Sequence, residues 1–186
     1  IITNTYGNVV SSFFGAKFQR HIEEILVSPT PNIIILAGYV TGGVCRGILV
    51  GLIVTAVTLF FTPLKIYSLP ISISVVVLTA ILFSLLGFIN GIFAKKFDDI
   101  AIVPTFVLTP LTYLGGVFYS IDLLPPFWKE ISLINPVLYM VNAFRFGFLG
   151  VSDIDLIQAF AVIITFILLM IFLCLYFMKK SFGLRA

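Results

Sequence analysis

Four long apolar runs dominate the chain: Ile33 to Phe61, Leu69 to Ala94, Ile100 to Phe118 and Leu156 to Met178. The last three hold no charged residue, and each can cross a hydrocarbon core of about 30 Å as a helix rising about 1.5 Å per residue. The pattern predicts four membrane spans. The first run exceeds what one bilayer needs and carries Arg46, so its N-terminal part is expected to project beyond the membrane or to lie in the headgroup region. Arg46, the only ionisable residue inside an apolar run, is expected to snorkel to the nearer surface. Pro104 and Pro110 should kink or loosen the third span.

Between the spans lie two shorter patterned stretches. From Phe14 to Val27, Phe14, Phe18, Ile22, Ile25 and Leu26 fall in one helical sector, and Lys17, Arg20, His21, Glu23 and Glu24 in the other. A short amphipathic helix is predicted over 14–28, too short to span and ended by Ser28-Pro29-Thr30-Pro31. Its periodicity fits a solvated connection as well as a docking element. Residues 1–13 read as the end of a preceding membrane helix. The stretch from Tyr119 to Ser152 is apolar but broken by Pro125-Pro126 and Asn135-Pro136, both helix-start signals. Two short helices are predicted within 120–150, with Val137, Val141, Phe144 and Phe148 on one buried face and Trp128, Tyr119 and Tyr139 at headgroup level. Both a re-entrant hairpin and a simple interfacial cap fit this pattern.

Glycines recur every four residues at Gly43, Gly47 and Gly51, a row that lets another helix approach closely, preferentially within the same chain.

Composition agrees with a polytopic membrane protein. Of 186 residues, 60% are hydrophobic and 10% charged, against roughly 25% charged in a soluble domain. The net charge of +3 is spread in small clusters without interleaved aromatics, which disfavours nucleic acid. Cys45 and Cys174 sit inside apolar runs and read as packing residues, so no metal is implied. Lys17, Arg20, Lys95, Lys96, Lys179, Lys180 and Arg185 all fall on one side of the four spans, against Lys65, Lys129 and Arg145 on the other. By the positive-inside rule the first side, with the C-terminus, is cytoplasmic.

Absent motifs narrow the function. There is no GxxxxGK[ST] loop, no H-E-x-x-H, no nucleophile elbow, and no Asp or Glu within a span. ATP binding by a P-loop, hydrolysis and a proton relay all lack their residues, so no catalytic residue is assigned.

Four segments together carry a resemblance: Phe18 to Pro29 (FQRHIEEILVSP), Thr109 to Tyr119 (TPLTYLGGVFY), Leu124 to Trp128 (LPPFW) and Asn135 to Arg145 (NPVLYMVNAFR). In this order the chain resembles the ABC-2 type permeases, transmembrane subunits of bacterial ABC exporters, over essentially its whole length. The resemblance implies an all-α integral membrane domain over 1–186 with six helices in the full family, the first and most of the second missing here. It implies that Phe18, Arg20, His21, Glu23 and Glu24 belong to a cytoplasmic coupling helix docking on a separate ATPase, which binds ATP and Mg. This chain itself holds no cofactor. Pro125, Pro126, Asn135, Pro136 and Arg145 correspond to the extracellular re-entrant pair, expected to act as an outer lid. The resemblance further implies a permease homodimer in the bacterial inner membrane, exporting an amphiphile such as a drug, lipid or lipid-linked glycan. An ATPase-independent transporter or channel is the alternative, and a membrane scaffold a third class.

Overall fold

The computed structural model describes residues 1–22, 24, 28–61, 66–117 and 125–180. These form helices and connecting turns: α1 (Ile2–Phe18), α2 (Asn32–Phe61), α3 (Leu69–Phe93), α4 (Phe97–Leu114), α5 (Pro126–Ile134), α6 (Pro136–Leu149) and α7 (Leu156–Lys179). Four of them, α2, α3, α4 and α7, are long and apolar enough to cross a membrane.

Helix α3 is the centre of the bundle. Its Val75, Leu82, Phe83, Leu85, Phe88 and Ile92 are buried, and it packs against α1, α2, α6 and α7. On α2, α4 and α7, by contrast, Leu52, Phe106 and Phe172 remain exposed. Lipid tails are as apolar as such side chains, so outward faces of this kind cost nothing in a bilayer.

Small residues set how closely α1 and α3 lie. A Cβ built on Gly87 would stand 2.6 Å from the Tyr6 carbonyl oxygen, and one on Gly91 would stand 2.8 Å from the Phe13 ring. Only glycine admits that approach. The two helices run parallel and are bound along their length: Asn90 Nδ2 donates to the Tyr6 hydroxyl at 2.6 Å, and the Phe13 and Phe88 rings pack at 4.3 Å. Lys17 Nζ then donates to the carbonyls of Ile92 (2.7 Å) and Ala94 (2.9 Å), joining both C-terminal ends.

Helix α1 continues through Phe14 to Phe18, which corrects the predicted start of a separate amphipathic helix at residue 14. The break comes at Gln19 and Arg20, where Arg20 takes a left-handed φ of 62°. Residues 21, 22 and 24 are helical again.

Helix α2 has 30 residues, about 45 Å at 1.5 Å per residue. Its buried positions, Ile35, Leu36, Gly43 and Gly47, lie in the first half. The N-terminal part is therefore packed into the bundle. Helix α4 changes winding at Pro104: Phe97–Val103 is α-helical, Pro104–Leu108 is a π-turn and Thr109–Leu114 is α-helical again. Proline supplies no N–H, and the Pro104 carbonyl instead accepts from the backbone N–H and the hydroxyl of Thr109 five residues on.

The hairpin of α5 and α6 turns at Asn135, whose Oδ1 accepts from the Val137 N–H at 2.9 Å. Helix α6 is packed by Leu138, Asn142, Ala143 and Gly147 against α3 and α7. The predicted buried face is corrected here: Phe144 is exposed, Val141 and Phe148 are half-buried. Tyr139 is buried, with its hydroxyl donating to the Leu133 carbonyl at 2.8 Å across the hairpin.

Candidate functional site

A helix inside a membrane bundle is normally apolar on every face that does not meet a polar partner. Helix α1 is divided differently. Tyr6, Val9, Val10 and Phe13 are fully buried against the bundle, while Thr3, Asn4, Ser11 and Ser12 are exposed on the opposite face and Gly7 and Asn8 half-buried there. These polar residues recur at helical spacing, so they form one continuous stripe along the helix.

Three contiguous hollows follow the stripe. The middle one, of about 290 Å³, is lined by Thr3, Asn4, Gly7, Asn8, Ser11, Ser12 and Arg46. It shares Asn8 and Ser12 with a second of about 400 Å³, walled by Ile34, Ile35, Gly38, Tyr39 and Gly42 of α2. It shares Thr3 and Asn4 with a third of about 740 Å³, which is largely apolar and reaches Val75, Val141, Phe144, Phe148 and Arg145. The three together run from the first turns of α2 to the α6 hairpin.

Arg46 stands about midway along α2, about 21 Å from Asn32 at 1.5 Å per residue. Its side chain is exposed, and Nη1 donates to Asn8 Oδ1 of α1 at 3.2 Å.

At the far end, Arg145 is half-buried. Its Nη1 pairs with Asp153 Oδ2 at 3.0 Å and its Nη2 donates to the Gly116 carbonyl at 2.8 Å. The α6 helix is thereby tied to the turn after α4 and to the loop before α7. Asn135 adds a further tie, donating from Nδ2 to the Leu111 carbonyl at 2.7 Å. Pro125 and Pro126 begin α5 on the exposed side, and Pro136 begins α6.

At the other end of α1, Phe18 is exposed and its ring meets Phe97 at 5.3 Å. Arg20, His21 and Glu24 are exposed while Ile22 is buried, and Glu23 lies outside the described residues. The sequence-predicted docking residues are therefore placed on the surface beyond α1, with Phe18 on α1 itself. Gly43 and Gly47 face α1 and α3: a Cβ on Gly43 would overlap Ser84 and Val9, and one on Gly47 would overlap Thr5. Gly51 comes nearest Ile1, at 3.4 Å. Among the described residues no three His, Cys, Asp or Glu side chains gather as a metal site would require.

The polar stripe was missed in the sequence, although Thr3, Asn4, Gly7, Asn8, Ser11 and Ser12 follow helical periodicity. The pairing of Arg46 with Asn8 had no local signal, because it depends on which helices become neighbours.

The ABC-2 type transporter family matches residues 1–149 of the chain. Over all 186 residues the chain is 57% identical to the inner membrane transport permease YadH of Escherichia coli K12, covering 73% of that protein, and to the YadH permease of Shigella flexneri to the same extent. It is also 22% identical over 176 residues to nodulation protein J of Rhizobium leguminosarum bv. trifolii, covering 95% of this chain and 67% of that protein. With its four apolar membrane helices and these relatives, the chain belongs to the ABC-2 type transporter family of membrane permeases.

Proposed function

We propose that this chain is the transmembrane subunit of an ATP-driven exporter in the bacterial inner membrane, moving an amphiphilic substrate along the polar face of α1. The observation that carries the reading is that α1 connects two features. Its polar stripe borders the linked hollows, and its end leads directly into the exposed Arg20, His21 and Glu24. A push on that turn would be felt along the whole stripe.

In this reading the lysine-rich end, with Lys17, Lys95 and Lys96, faces the cytoplasm. The segment from Arg20 to Glu24 docks on a separate ATPase subunit, which binds ATP and Mg and does the hydrolysis. Two copies of the permease pair with two ATPases. Because Lys17 joins the ends of α1 and α3, displacement of the docking turn moves both helices together. The ties of Arg145 to Gly116 and Asp153 hold the hairpin at the far end, and their release opens the outer exit.

The test is charge reversal at the docking turn. The double variant Glu23→Lys and Glu24→Lys, in the full-length permease expressed with its ATPase, should insert normally in the membrane yet lose ATP-dependent transport and copurification of the ATPase. Normal transport by that variant would refute the assigned roles.

A further inference from the structure

We propose that Arg46 is the recognition point for an anionic headgroup, so that the amphiphile carried by this permease bears a phosphate or carboxylate. The inference rests on the transport reading above and deepens it by naming the charge of the cargo. A guanidinium midway along a membrane helix is costly and is retained where it meets a partner. Within the hollow that Arg46 borders, that partner is a neutral amide, Asn8 Oδ1 at 3.2 Å. The remaining lining, Thr3, Asn4, Ser11 and Ser12, is likewise uncharged. Among the described residues, Arg46 is thus the one charged side chain lining this hollow. Arg145, by comparison, is matched by Asp153 at 3.0 Å.

The geometry suits an anion attached to an apolar chain. An arginine fork offers parallel N–H donors to two oxygens of a phosphate or carboxylate. Asn4, Ser11 and Ser12 add neutral donors around it. Next to this polar hollow, and sharing Asn8 and Ser12 with it, lies the wall of Ile34, Ile35, Gly38 and Gly42. A Cβ on Gly38 would meet nothing within 4 Å, so a chain can lie along α2 there while the headgroup sits at Arg46. A zwitterionic or cationic headgroup would set its positive charge near the guanidinium, which costs affinity.

The experiment is equilibrium binding of radiolabelled dodecyl phosphate to the full-length permease in phosphatidylcholine nanodiscs, with empty discs subtracted. Competitors are dodecyl maltoside, dodecyl trimethylammonium and inorganic phosphate. The expected result is that none of the three displaces the probe at concentrations where unlabelled dodecyl phosphate does. Arg46→Gln should weaken dodecyl phosphate binding about tenfold, the scale of one charge-assisted hydrogen bond, while Arg46→Lys retains most of it and both variants keep the parental unfolding midpoint. Equal competition by dodecyl maltoside, displacement by inorganic phosphate alone, or unchanged binding in Arg46→Gln would each overturn the proposal. So would a change of oligomeric state in Arg46→Gln, which would make Arg46 a contact between copies. Binding here needs neither ATP nor the ATPase. Absence of ATP-driven transport with selective binding intact would therefore count against the exporter reading alone.

Discussion

Lys17 offers the sharpest test of how α1 is held. Its ammonium donates to two carbonyls at the end of α3, Ile92 at 2.7 Å and Ala94 at 2.9 Å, where helix-terminal C=O groups have no intrahelical partner. Charge-assisted hydrogen bonds contribute about 1.5–3 kcal/mol each. The two share one donor group, and Lys17 is only half-buried, so water can replace part of what is lost. Lys17→Met keeps the aliphatic length and removes the donors, and is expected to cost about 2 kcal/mol. For a chain of this size that corresponds to a fall in Tm of about 4–8 °C. The assay is thermal unfolding in detergent, with Lys95→Met as the control: Lys95 is exposed, and its loss should stay within about 0.5 kcal/mol. If Lys17→Met melts with the control, the two helices are not joined through this side chain and the rigid unit of α1 and α3 is lost as an argument.

Two further substitutions probe packing. Gly87→Ala sets a Cβ 2.6 Å from a backbone oxygen that cannot rotate away; overpacking of about 1–3 kcal/mol, offset by about 1 kcal/mol of helix propensity, leaves a net loss of up to about 2 kcal/mol. Gly38→Ala, which meets nothing within 4 Å, should be neutral or gain up to about 1 kcal/mol, and unfolding midpoints of the pair in detergent decide the point. Asn135→Ala removes both the cap to Val137 and the tie to Leu111, and should cost about 1–2 kcal/mol, read as faster proteolysis of the α5–α6 hairpin; unchanged cleavage would mean that the hairpin is held elsewhere.

How far the sequence led can be followed residue by residue. The apolar runs are read directly because about twenty consecutive residues without charge have few alternatives to a membrane helix. The hairpin turn was legible in Asn135-Pro136, where side-chain capping and a proline-compatible first turn coincide. The end of α1 was not: the apolar spacing of Phe14 and Phe18 suits either side of the break, and Arg20 adopts its left-handed φ of 62° without glycine, proline or asparagine to announce it. The inner face of α6 was misjudged because Val141, Phe144 and Phe148 are apolar whether they pack on a helix or border a hollow; burial of Asn142 and Gly147 is decided by close contact with neighbouring helices. The tilt of Arg46 toward Asn8 belongs to the same class, since no local pattern tells which helices become neighbours.

Cysteine accessibility along α1 tests the central claim most directly. In a full-length permease with Cys45 and Cys174 replaced by alanine, single cysteines at Asn4, Asn8, Ser11, Val9 and Val10 would be treated in native membranes with a charged, membrane-impermeant thiol reagent and with a lipid-soluble maleimide. The account predicts that Asn4, Asn8 and Ser11 react with the charged reagent while Val9 and Val10 stay silent, because a headgroup path must admit water. Labelling of Asn8 and Ser11 by the lipid-soluble reagent alone would mean that this face of α1 meets dry hydrocarbon, and the proposed route through the membrane would be wrong.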